Sequence, residues 1–133
     1  MLLTALLVAA EAIGIAPKPE SEWHTFEATA YTANCRGCSG ITKSGVDVRK
    51  TTEHGGRTVI AVDPRVIPLG SAVEIRLDDG TIIEGTAEDV GGAIKGARID
   101  ILHGSRSAAI EFGRQKVELR IINKNKSEGD TNE

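Results

Sequence analysis

The feature that most constrains this chain is its punctuation. Between Phe26 and Ile122, apolar residues come only in short runs, and each run is closed by Gly, Pro or Asp. Runs of that length are too short for amphipathic helices but suit strands. Phe26-Glu27-Ala28-Thr29-Ala30-Tyr31-Thr32 and Ala72-Val73-Glu74-Ile75-Arg76-Leu77 alternate as half-buried strands do, and Thr58-Val59-Ile60-Ala61-Val62 is continuously apolar, as a strand buried on both faces would be. Asp79-Gly80 predicts a tight hairpin into residues 81–87. Two further strands are expected at residues 98–102 and 116–122, and one helix over Ser105–Phe112, opened by Ser105 as N-cap and stopped by Gly113. Several short strands, one helix and no regular strand–helix alternation point to a small closed barrel, not a parallel sheet. With only 3% aromatic residues, its core must be built from Val, Ile, Leu and Ala.

A chain of 133 residues holds one such domain of roughly 100 residues and not two. Residues 1–16 are apolar except for Thr4 and Glu11. They are short for a membrane span of about 20 residues. They suit a secretory or anchoring segment, with Ala10-Glu11-Ala12 as a small-x-small cleavage site, although no basic residue precedes the run. Residues 17–22, PKPESE, read as a linker, so residues 1–22 stand apart from a domain at 23–123 and a polar, disordered tail at 124–133. A formal charge of −3 and the lack of a Lys/Arg block argue against a nucleic-acid partner. The two cysteines form Cys35-Arg36-Gly37-Cys38. A local clasp or free thiols rank first, ahead of half a zinc site and of a redox motif, because the glycines beside the pair oppose a helix start and no HxxxH spacing supplies further ligands.

Three aspartates invite a chemical reading. Asp63 ends a buried run and precedes Pro64, and Asp89 precedes Val90-Gly91-Gly92, so each is also well explained as a turn residue. Asp100 lies between Ile99 and Ile101 in mid-strand, where aspartate is disfavoured. GGAIKG at 91–96 lacks the GK[ST] ending of a phosphate-binding loop and precedes a strand, which excludes nucleotide binding. No GxSxG supports serine hydrolysis, and His103 is a lone histidine after a strand.

Taken in order, ATAYT (28–32), GITKSG (40–45), AVDP and VIPLG (61–70), EDVGGAIKG (88–96), RIDI (98–101) and FGRQKVELRII (112–122) resemble the 3D domain, named for its three aspartates. That family resembles the catalytic part of membrane-bound lytic transglycosylase A and the stationary-phase survival proteins of Gram-positive bacteria. The cysteine pair resembles a variant of some Bacillus-type and phage members. The resemblance implies a mainly β fold, a six-stranded double-psi β-barrel with one or two short helices. It also implies peptidoglycan as substrate, outside the cell or in its wall, and leaves a bacterial and a phage gene both open; membrane association would come from the apolar residues 1–16. It implies no cofactor and no metal. The implied reaction cleaves the β-1,4 bond between N-acetylmuramic acid and N-acetylglucosamine and leaves a 1,6-anhydro ring. By position Asp100 corresponds to the acid/base, Asp89 to its close partner, and Asp63 to a group that tunes charge or binds sugar hydroxyls. Three aspartates converging on one groove would raise the pKa of one of them. Tyr31, Thr32, Thr42, Gly92 and Lys95 are the expected substrate-binding residues, Lys95 being equally well explained as an exposed turn lysine. Competing readings are a non-catalytic glycan-binding or wall-loosening, expansin-like module and a structural role in a phage or spore assembly.

Overall fold

The computed structural model describes residues 22–34 and 37–123. The expectations for residues 1–21 and for the tail at 124–133 lie outside them. Among the described residues seven strands and one helix follow in the order β1 (His24–Thr32), β2 (Glu53–His54), β3 (Arg57–Ala61), β4 (Ala72–Arg76), β5 (Ile82–Asp89), β6 (Arg98–His103), α1 (Arg106–Phe112) and β7 (Gln115–Asn123). Each expected strand is present. The two-residue β2 was not anticipated, because Glu53-His54 carries no apolar pattern and forms only by pairing with Thr58 and Arg57. The helix starts and stops where its caps predict: the Ser105 hydroxyl accepts from the Ala108 N–H, and Gly113, at φ 65°, donates to the Ala109 carbonyl.

Six strands close on themselves. β1 pairs with β6 in parallel, β6 with β3 antiparallel, and β3 with β5 in parallel. β5 pairs with β4, β4 with β7, and β7 with β1, all antiparallel. Parallel pairs joined by long crossovers inside a closed antiparallel frame are the arrangement of a double-psi barrel, and β2 adds a short flap beside β3. Closure leaves no barrel edge unpaired. The Asp79-Gly80 turn joins β4 to β5 as its sequence demands, with the Asp79 carboxylate accepting from the Thr81 N–H at 2.9 Å and Gly80 at φ 93°.

The barrel interior is filled by Phe26, Ala28, Ile60, Val62, Ile67, Val73, Ile75, Ile99, Ile101, Val117 and Leu119, all buried. Each Val, Ile, Leu or Phe side chain among them contributes about 1.5–3 kcal/mol on burial. A second, smaller cluster of Val48, Val59 and Leu102 lies on the outer face of β3 and β6, under the loop that follows β1. This cluster matters for the site, because it fixes a long loop against the outside of the barrel. Among the described residues, no helix is long and apolar enough to cross a membrane.

Trp23, the residue before β1, lies under two guanidinium groups, with Arg76 at 4.0 Å and Arg120 at 4.6 Å from its ring. Arg120 is held in turn by Glu74 at 2.9 Å. The ring thus fastens the start of β1 to the outside of β4 and β7. Trp23→Ala should lower stability by about 1–2 kcal/mol, two cation–π contacts of ordinary strength, as read by urea unfolding. In the parent chain, the fluorescence of this single tryptophan should follow the same transition.

Candidate active site

The site grows from an irregularity in β5. Along the parallel β3–β5 ladder Ile60 faces Ala87, but the next residue, Ala61, faces Asp89, so Glu88 is passed over in a bulge. The extra residue turns Asp89 onto the outer face that Ala61 occupies, away from the core face of Ile60 and Ala87. On its other side Ala61 is the antiparallel partner of Asp100. Asp89, Ala61 and Asp100 therefore form one row across three strands. Two strand spacings set the backbones of the two acids roughly 10 Å apart, with only a methyl group between their side chains.

Asp100 stands on this face because Ile99 and Ile101, its neighbours in β6, both point into the core. Its register partner is Thr29 of β1, whose hydroxyl donates to Asp100 Oδ1 at 2.9 Å. Burial pushes the Asp100 pKa up, and the nearby Asp89 adds to the rise, while the Thr29 hydroxyl, Arg98 and His103 pull it back. Two residues along β1 on the same face, Tyr31 donates its hydroxyl to Asp89 Oδ2 at 3.3 Å. Burial, reinforced by the Asp89 charge, holds the phenol well above its usual range, so it is a neutral donor. Asp89 Oδ1 also accepts from the N–H groups of Lys43 and Val90, both at 3.0 Å.

The Lys43 contact depends on a buried chain beneath it. The Glu88 carboxylate accepts from Ser44 Oγ at 2.5 Å and from Thr86 Oγ1 at 2.6 Å, while its carbonyl accepts from the Ser44 N–H at 3.0 Å. The loop after β1 is thus docked on the bulge by Ser44. Thr42 is buried inside that loop, its hydroxyl taken up by Ser44 and the Val46 N–H. Between the loop and the barrel lies a cleft of about 190 Å³ lined by Tyr31, Thr32, Cys38, Ile41, Val48 and Asp89. Cys38 is disulfide-bonded, and Cys35 falls outside the described residues. Gly92 is exposed with open space where a Cβ would lie, and Lys95 is exposed on the same turn. His103 sits at the end of β6, its Nδ1 2.9 Å from the Ile101 carbonyl and its ring against Phe112.

Asp63 is placed differently from the other two acids. It is 2% exposed, and both of its oxygens are engaged. Oδ1 accepts from the backbone and Nε of Arg65, and Oδ2 accepts from Arg65 Nη2 and from the Gly96 N–H at 2.8 Å. The carboxylate ties the turn after β3 to the glycine-rich loop after Asp89, where Gly96 sits at φ 66°. So the structure brings Asp89, Asp100 and Tyr31 together, and gives Asp63 the support of the loop between them. Thr29, Ser44 and Glu88 complete the site and were not singled out from sequence. Thr29 shares the period-two face of Tyr31, which was a usable signal, whereas the bulge at Glu88 left none.

Arg65 and the two backbone donors hold the Asp63 pKa well below the usual carboxylate range. Its stabilising contribution is therefore complete above the unfolded value of about 3.9 and is lost as pH falls toward the folded one. Asp63→Asn should lower the urea midpoint at pH 7. It should also weaken the loss of stability between pH 5 and 2, as measured by denaturation across that range.

Residues 58–123, which take in β3 through β7, match the 3D domain. The SPbeta prophage-derived uncharacterized protein YorM of Bacillus subtilis strain 168 is 47% identical over 97 residues, which is 72% of this chain and 40% of YorM. The cell wall-binding protein YocH of the same organism is 46% identical over 99 residues, 74% of this chain and 32% of YocH. The chain thus spans less than half the length of either relative. Among solved structures, MltA from Escherichia coli, described as having a unique lytic transglycosylase fold, superposes with a TM-score of 0.50 at 26% identity over 63% of this chain and 27% of MltA. From β3 to the end of the barrel, with Asp63, Asp89 and Asp100 inside the matched stretch, this chain belongs to the 3D-domain family.

Proposed function

We propose that the barrel is a peptidoglycan lytic transglycosylase, acting in the cell wall or outside the cell, with Asp100 as its acid/base. The observation that carries this reading is the environment of Asp100: a half-buried carboxyl with a raised pKa, in one row with a second carboxylate on the outer face of the barrel. The likeness to MltA and the wall-binding name of YocH agree with it.

In this mechanism protonated Asp100 donates to the glycosidic oxygen as the bond from C1 of N-acetylmuramic acid breaks. The same carboxylate then accepts the proton of that sugar's 6-hydroxyl as its oxygen closes on C1. The products are a 1,6-anhydro end and a free 4-hydroxyl on the neighbouring sugar, with no water consumed. Because the nucleophile is already attached, one positioned group serves both transfers. Thr29 aims Asp100. Asp89, fixed by Tyr31 and by the Lys43 and Val90 N–H groups, faces the positive charge that develops at C1. Tyr31 and Thr32 line the cleft that receives the sugar, and Gly92 and Lys95 form its rim. Thr42 acts through the loop it braces, and Asp63 through the loop it ties to Gly96.

A second reading, binding without turnover, has one observation in its favour: the relative named for wall binding. Mass spectrometry of purified walls digested with the chain separates the two. Transglycosylation releases fragments with 1,6-anhydromuramic ends, hydrolysis would release reducing ends, and a binding module would release nothing soluble while still sedimenting with the wall. Asp100→Asn should lower release by at least about 100-fold, the usual worth of a general acid. Thr29→Val removes a donor that favours the ionised carboxyl, so the Asp100 pKa rises and the alkaline limb of the activity profile should move to higher pH.

A further inference from the structure

Beside the row of acids lies a row of opposite sign. Glu27 of β1 is the register partner of Arg98 on one side and of Lys116 on the other. Glu27 and Thr29 alternate with the core residues Phe26 and Ala28, so this row shares the outer face of the barrel with Asp100, about 7 Å further along the strands. Arg114 joins it, donating to Glu27 Oε2 at 2.8 Å. Three cations therefore stand against one carboxylate, on a chain whose formal charge is −3. Their donors are far from exhausted. Arg98 Nε is buried without a hydrogen-bond partner, 3.7 Å from Glu27 Oε1, while its Nη1 donates to the Ala93 carbonyl at 3.3 Å, and the Arg114 side chain is 61% exposed. Glu27, Ala97, Arg114 and Lys116 line a depression of about 510 Å³.

We infer that this depression is an anion subsite that receives a carboxylate of the peptide carried by the wall glycan, next to the bond that Asp100 cleaves. The inference rests on the proposed glycan substrate and narrows it to peptide-bearing strands. The argument is one of charge and placement. A glycan strand on the barrel face that presents Asp100 runs past the Arg98–Glu27–Lys116 row within one sugar's reach. A peptide branching from the sugar beside the scissile bond brings its carboxylates there. Arg114 offers planar, paired donors suited to a carboxylate, Lys116 adds a mobile point charge, and Arg98, outside the lining, offsets the Glu27 charge behind them. Glu27 keeps the two arginines in place when the subsite is empty.

The test is a sedimentation assay with the full chain in an Asp100→Asn background, which stops turnover. Three solid phases are compared: peptidoglycan with peptides intact and phosphate polymers removed; the same material after amidase digestion; and wall with phosphate polymers retained and peptides removed. The first should bind about tenfold more tightly than the second, a difference of about 1.4 kcal/mol. The preference should vanish at high salt. Arg114→Gln with Lys116→Gln should bind the first and second phases alike, at the level the parent shows for the second. Equal binding of the first two phases by the parent, or a preference that survives the double substitution, overturns the inference. A preference that follows the phosphate polymer overturns the carboxylate assignment. Failure to bind any of the three phases overturns the glycan reading as well. Both substituted side chains are exposed, and unchanged circular dichroism and urea midpoint confirm that the variant is folded.

Discussion

Ala61 is hydrogen-bonded into a ladder on both sides, and the site cannot form unless both ladders do. One ladder carries Asp89 to it and the other carries Asp100. Because β3 has β5 and β6 as neighbours, closing the barrel and assembling the carboxylate pair are the same event. The residue between the acids must be small, since a larger side chain would fill the space between the two carboxylates. The bulge at Glu88 is the other half of the constraint. Without it, Ala61 would face Glu88 and Asp89 would point into the aliphatic core, where an unpaired carboxylate is strongly disfavoured.

Support for the pair comes from polar groups that the barrel buries elsewhere. Glu88, displaced by the bulge, is satisfied by Ser44 and Thr86, and in being satisfied it docks the loop whose Lys43 N–H reaches Asp89. Asp63, also buried, holds the opposite loop through Gly96. Each of these acids has its oxygens matched by donors, so each stabilises the site's frame. Asp100 differs. The Thr29 hydroxyl donates to its Oδ1, and burial raises its pKa where Arg65 and backbone donors lower that of Asp63.

Much of this was legible in the sequence. Alternation and turn residues located every barrel strand, Ser105 and Gly113 bounded the helix, and Asp100 stood out because a mid-strand aspartate between two isoleucines has no structural reason to be there. The ordered motifs supplied the family and with it the barrel topology. What could not be read was pairing across long separations. That Thr29 meets Asp100 and that Glu27 lies between Arg98 and Lys116 follow from register, and that Asp89 lines up with Asp100 follows from a bulge; neither leaves a local mark in composition.

The placement of β1 carries a consequence for how the barrel comes into being. Its two neighbours, β6 and β7, are the last of the described strands, so the first barrel strand to be made waits for the last before it has any partner. The entropy of closing that long loop must be met before its contacts repay it, and such topologies fold in about milliseconds to seconds, far more slowly than helical bundles. Until then β1, β4 and β6 present open edges to other chains. The parallel β3–β5 pair and the β4–β5 hairpin can form earlier, so half of the carboxylate pair exists before the other half has a place to stand.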